Sequence, residues 1–133
     1  MQPGDRVGTF RVVSPLGRGG MGAVYRAVDE AAGREVALKV LSEGWTDPEL
    51  RRRFEREGRA LAAVKHENVV RVFAAGLDDA GRPYLALEVA PGGSLEDLRR
   101  ERGGRLPWRE AARLGRQAAR GLGALHAAGL VHR

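Results

Sequence analysis

At 133 residues the chain has the size of one ordinary domain or of part of a larger one, and 43% hydrophobic with 30% charged residues suits a packed core rather than a disordered segment. It has no cysteine, which excludes disulfides, thiolate metal sites and thiol nucleophiles. The net charge of +6 comes almost wholly from arginine, because Lys39 and Lys65 are the only lysines.

The arginines are densest from Arg99 to Arg120, but no series of stacking aromatics alternates with them. That pattern reads as a solvated helical surface and argues against a nucleic-acid platform. The first residues lack the apolar core of a signal peptide, and no run approaches the roughly 18 apolar residues of a membrane span. The expectation is a soluble, cytoplasmic chain without a membrane segment.

In chain order, Phe10 to Leu16 predicts a first strand and Ala23 to Val28 a second, followed by the polar turn 29–34. Glu35 to Leu41 predicts a third strand, and the three form an antiparallel meander. Asp47-Pro48-Glu49 marks a helix start, with Asp as N-cap and Pro at the first helical position. The helix extends to about Val64. Asn68 to Ala75 and Pro83 to Val89 predict two further strands joined by the turn 78–82. Ala90-Pro91-Gly92-Gly93 breaks the pattern and is a candidate hinge. Ser94 caps a short helix that Gly103-Gly104 ends, and a last helix covers about Pro107 to Ala128.

Gly17-Arg18-Gly19-Gly20-Met21-Gly22 is a GxGxxG. Glycines let backbone amides approach phosphates, but several folds use them. A Walker A loop needs Lys-Ser/Thr after the last glycine, where Ala23 stands. A Rossmann loop opens a helix, whereas Ala23 to Val28 is strand-like. A glycine turn between two antiparallel strands can close over phosphates, or it can be an ordinary hairpin.

Val36-Ala37-Leu38-Lys39-Val40-Leu41 sets one charge in an apolar strand, where Lys39 shares a face with Ala37 and Leu41. It either snorkels to water at an edge or needs an anionic partner. The helix offers one. Leu50, Phe54, Leu61 and Val64 fall on one stripe, and Glu57 fills the gap in it. Glu57 is either a boundary residue or the partner that holds Lys39 toward a phosphate.

These segments together resemble the bacterial-type (Hanks-type) serine/threonine protein kinases. Leu16 to Tyr25 is similar to the family's glycine-rich loop, and Val36-Ala37-Leu38-Lys39 to its Val-Ala-Ile-Lys motif. Glu57 falls at the αC glutamate, and Tyr84 to Ala90 at the strand entering the hinge. Leu125 to Arg133 resembles the approach to the His-Arg-Asp catalytic loop. The motifs stand in the family's order along essentially the whole chain.

The resemblance implies an α+β fold: a kinase-like N-lobe with a five-stranded antiparallel sheet plus αC helix, followed by the first helices of an incomplete C-lobe. Residues 1–89 would form the N-lobe, with the glycine loop at 16–24 and αC at about 48–64. Residues 90–93 would be the hinge and 94–133 the partial C-lobe.

It implies ATP as ligand and Ser/Thr of a protein as acceptor. Backbone amides of Gly17, Arg18, Gly19, Gly20, Met21 and Gly22 would cover the phosphates, and Ala23 would also belong to the ATP site. Lys39, oriented by Glu57, would contact the α- and β-phosphates. Leu16, Val24 and Ala37 would sandwich the adenine, with Leu87 as gatekeeper. The Glu88 carbonyl and the Ala90 amide would bond its edge. Leu61 would join a regulatory apolar stack with His132 at its base.

The family's catalytic aspartate would follow Arg133, and the Mg²⁺ ligands of its Asp-Phe-Gly motif are not among these residues. The 133 residues by themselves are therefore expected to be inactive in phosphoryl transfer. A nucleotide-binding or regulatory half-kinase module is the alternative. Leu114, Leu122 and Leu125 are expected to leave an apolar face on the last helix that favours self-association.

Overall fold

The computed structural model describes residues 1–19, 22–41 and 46–132; Gly20, Met21, Trp45 and Arg133 lie outside them, as does the side chain of Leu50. Strands β1 (Arg6–Val7), β2 (Phe10–Gly19), β3 (Gly22–Asp29), β4 (Arg34–Leu41), β5 (Val72–Leu77) and β6 (Pro83–Leu87) build one sheet. Every pairing is antiparallel, in the order β1-β2-β3-β4-β6-β5. Helix α1 (Pro48–Ala63) follows β4, and α2 (Leu95–Glu101) and α3 (Trp108–Ala127) follow the sheet. No helix among the described residues is long and apolar enough to cross a membrane.

The sheet has six strands where five were expected. The extra one, β1, is two residues long, too short for any period-two pattern to announce it. β5 starts at Val72 rather than Asn68 because the preceding residues are committed to a turn. There His66 Nδ1 accepts from the Asn68 N–H and the His66 carbonyl accepts from the Val69 N–H. β6 ends at Leu87 rather than Val89.

Alternation along the strands divides the sheet into two faces. One carries the core: Val12, Tyr25, Ala27, Val36, Leu38, Val40 and Ala86, joined by Val7 and Phe10, with Met1 packed against them. Leu38 is wholly buried, and such burial is worth about 1.5–3 kcal/mol. Tyr84 packs edge-on to Phe10, and this partial burial pushes its hydroxyl pKa up. The other face presents Val24, Ala37, Lys39, Leu85 and Leu87, all partly exposed.

The helix starts follow their sequence signals. Asp47 accepts from the Glu49 N–H at 2.8 Å. Ser94 and Asp97 form a reciprocal capping box, and the Ser94 hydrogen bonds hold the Asp97 carboxyl below its ordinary range. Of the leucines on α3, Leu122 is the most open at 39% exposed, and Trp108 at the helix start is largely exposed; Leu114 and Leu125 are half-buried.

α3 meets the turn before β5 at Gly121, the one buried residue of that helix. A Cβ there would lie 2.6 Å from the Asn68 carbonyl oxygen, closer than any side chain tolerates. Gly123, two residues on, faces open space. Gly121→Val is expected to cost about 1–3 kcal/mol, whereas Gly123→Ala adds about 0.5–1 kcal/mol of helix propensity. Thermal melts of the two variants should move in opposite directions.

Candidate functional site

The cross-strand register places the candidate residues before any side-chain contact is considered. Gly17 pairs with Val24, Val24 with Lys39, Lys39 with Leu85, and Leu85 with Ala75. These five form one row across the sheet. The glycine hairpin stands at one end and Lys39 at the centre. In the next row Ala37 pairs with Leu87, so one of the residues expected around the adenine is the neighbour of the expected gatekeeper.

β2 slips register at Val13 and again at Leu16, so that each is an extra residue opposite β3. Leu16 is 51% exposed, an apolar side chain held out at the root of the hairpin. Gly22 has a φ of +148°, and a Cβ there would run into the Val40 carbonyl. No other residue fits that position. Gly20 and Met21 at the hairpin tip lie outside the described residues.

Helix α1 lies on the Lys39 face. Its seat is Gly58, where a Cβ would come 2.6 Å from the Ala75 Cβ and 3.7 Å from Leu85 Cδ2. Both are members of the Lys39 row. This close approach brings Glu57, the preceding residue, toward Lys39. Between α1, β4 and the segment after α3 is a cavity of about 700 Å³ lined by Lys39, Glu57, Leu61, Leu125 and His132 among others. The structure therefore brings together four residues that the sequence singled out: Lys39, Glu57, Leu61 and His132.

It does not join the two charges. The Glu57 carboxylate accepts from Arg53 Nε at 2.9 Å, one helical turn back. Among the described residues no carboxylate pairs with Lys39. Arg53 and Arg56 also line the cavity, so three cations face one carboxylate. The excess favours an anion.

At the far end of β6, the Glu88 N–H donates to the Arg71 carbonyl and the Glu88 carboxylate accepts from the Arg71 N–H. Among the described residues, the Glu88 carbonyl and the Ala90 N–H have no backbone partner. They remain available to a ligand edge. Sequence reasoning missed Arg53 and Gly58. Arg53 was detectable as a cation four residues before Glu57; nothing in the sequence distinguished Gly58 from any other helix glycine.

The comparisons agree with this geometry. The protein kinase domain model matches residues 10–133. The chain belongs to the protein kinase family. It is 41% identical to serine/threonine-protein kinase PknA of Mycobacterium tuberculosis over 131 residues, covering 95% of this chain and 30% of that protein. Identity to serine/threonine-protein kinase pkn2 of Myxococcus xanthus is also 41%, over 127 residues that make up 15% of that protein. The crystal structure of the M. tuberculosis PknI kinase domain superposes with a TM-score of 0.86 at 31% identity. That superposition covers 100% of this chain and 54% of the PknI chain. The chain thus spans less than a third of these curated relatives and about half of a solved kinase domain.

A nucleotide fits what is present among the described residues: a glycine hairpin, a lysine in the same row with no carboxylate partner there, small and apolar side chains beside it, and backbone groups at the end of β6 with no backbone partner there. A metal does not, because the described residues contain no group of three or more His, Asp or Glu side chains that could hold one. Family members generally use Mg²⁺ with ATP; no such ligand group is found among the described residues.

The seat of α1 can be tested by volume. Gly58→Val is expected to destabilise the fold by about 1–3 kcal/mol. Adding Ala75→Gly should recover part of that loss if the contact lies where the geometry puts it. Denaturant midpoints of the single and double variants measure both.

Proposed function

We propose that this chain is the ATP-binding portion of a serine/threonine protein kinase. Residues 1–89 form the nucleotide-holding lobe, 90–93 a hinge, and 94–133 the start of the second lobe. The observation that carries this reading is Lys39. Among the described residues it has no carboxylate partner, and it stands in one register row with the glycine hairpin, opening on a cavity with positive excess. In the bound state Lys39 engages the α- and β-phosphates. Backbone amides of Gly17 to Gly22 cover the phosphates, and the adenine lies among Leu16, Val24, Ala37 and Leu87. The Glu88 carbonyl and the Ala90 N–H bond the adenine edge. In a whole kinase the bound ATP supplies the phosphoryl group, with Ser/Thr of a protein as acceptor and the cytoplasm as the site of action.

A charge-assisted hydrogen bond is worth about 1.5–3 kcal/mol, so Lys39→Ala should weaken ATP binding roughly ten- to a hundredfold. Titration with a fluorescent ATP analogue measures this, and equal affinity of the two proteins would overturn the reading.

A polypeptide of only these 133 residues should bind nucleotide without transferring phosphate, because transfer depends on metal-holding carboxylates. A radiolabelled γ-phosphate assay checks this: incorporation above the Lys39→Ala background would refute it. The reading as a regulatory, non-transferring module is favoured by one observation, the pairing of Glu57 with Arg53 instead of Lys39. The exposed Trp108–Leu122 side of α3 is proposed to support self-association, to be read as a mass that rises with concentration in sedimentation equilibrium.

A further inference from the structure

Where β6 runs out, the next rung of the ladder is completed by a side chain. The Glu88 N–H donates to the Arg71 carbonyl at 2.8 Å. In an antiparallel pair joined this way the two residues exchange both backbone bonds, so the Arg71 N–H belongs on the Glu88 carbonyl. It goes instead to Oε2 of the Glu88 carboxylate, at 3.0 Å. Among the described residues the Glu88 carbonyl is thereby left without a backbone donor. We propose that Glu88 acts through its carboxylate as a positioning residue for the nucleotide. By taking its own carbonyl's place in the ladder, the carboxylate keeps that carbonyl free for the exocyclic amino group of the adenine. The inference rests on the assignment of residues 88–90 to the adenine edge.

Three features support the exchange. First, the sheet does not depend on this rung, because Leu87 is already in register with Val72 and Ala86 with Ala74. Second, a hydrogen bond to an ionised acceptor is about twice as strong as a neutral one. The carboxylate therefore outcompetes the carbonyl of the same residue for the single Arg71 N–H. Third, the Arg71 guanidinium stays clear of the rung, lying over the Phe73 ring at 5.6 Å from its centroid.

Without the carboxylate, the Arg71 N–H returns to the carbonyl of residue 88. That carbonyl is then turned into the plane of the sheet, toward Arg71, because a donor is best met along the lone-pair directions. An adenine amino group that approaches from the cleft loses its acceptor. The side chain thus acts on the base without touching it.

The exchange can be read without nucleotide. In an isotope-labelled chain, nuclear magnetic resonance detects the coupling across a hydrogen bond at the acceptor carbon. From the Arg71 nitrogen it should appear at Glu88 Cδ in the parent and at the backbone carbonyl carbon of residue 88 in Glu88→Ala. A parent coupling at the Glu88 backbone carbonyl overturns the proposal.

The effect on the base is read by competition against a ribose-labelled fluorescent ATP analogue. The competitors are ATP and purine riboside triphosphate, which lacks the amino group. Glu88→Ala should weaken ATP about three- to tenfold, the worth of one hydrogen bond, and leave the purine nucleotide where it was. The preference for ATP is then lost. Glu88→Gln carries an uncharged oxygen that can accept the same N–H, so it should keep the parent's preference. It also separates the hydrogen bond from the charge. A Glu88→Ala chain that weakens both nucleotides alike has lost structure rather than a positioned acceptor, and that result overturns the proposal. So does a preserved ATP preference in Glu88→Ala, or its loss in Glu88→Gln. A parent that binds neither triphosphate refutes the nucleotide reading itself, an outcome distinct from all of these, and the coupling at Glu88 Cδ still decides whether the exchange exists.

Discussion

The approach of α1 to the sheet at Gly58 sets how near the charges of that helix come to Lys39. With hydrogen as its side chain, residue 58 lets the helix backbone come down onto Ala75 and Leu85. Leu85 is in register with Lys39. A larger residue would lift the helix and carry Glu57, Arg53 and Leu61 away with it. The cavity that these residues share with the segment after α3 exists because the helix lies close. Interiors yield little to added volume, so this seat is a stiff constraint, and the ionic contacts built on it are soft ones.

That contrast explains the division of labour across the sheet. The core face is apolar and closed, from Val12 through Leu38 to Ala86, and it carries the stability. The opposite face is half open and holds the groups that could meet a ligand. Strand alternation makes the two compatible, since neighbouring residues on β4 serve opposite purposes: Leu38 is wholly buried and Lys39 opens on the cavity. The second hold on the architecture is Gly121, where α3 meets the turn that His66 and Asn68 form. Gly58 and Gly121 thus mark the points where α1 meets the sheet and α3 meets the turn.

The glycine hairpin belongs to the same economy of space. Two register slips in β2 bring Leu16 out from the strand, and Gly22 passes so close to Val40 that no side chain is possible. The hairpin is anchored at its base by steric necessity.

Much of this was legible in the sequence, and the reason differs from element to element. The strands around Lys39 declared themselves by apolar alternation, and α1 and α2 by their caps at Asp47 and Ser94, because these are local effects of residue type and spacing. Lys39 and Glu57 stood out as charges on apolar faces, and the order of the glycine loop, lysine and glutamate made the family recognisable. The two-residue β1 and the turn at 66–70 escaped, since one is too short to have a period and the other depends on a side chain folding back on the backbone. That Arg53 can pair with Glu57 follows from their spacing of four along one helix, a local effect. Where Lys39 stands relative to both was a matter for tertiary structure alone, because it depends on a glycine seat and the shape of a cavity, set by how α1 lies against strands distant in the chain.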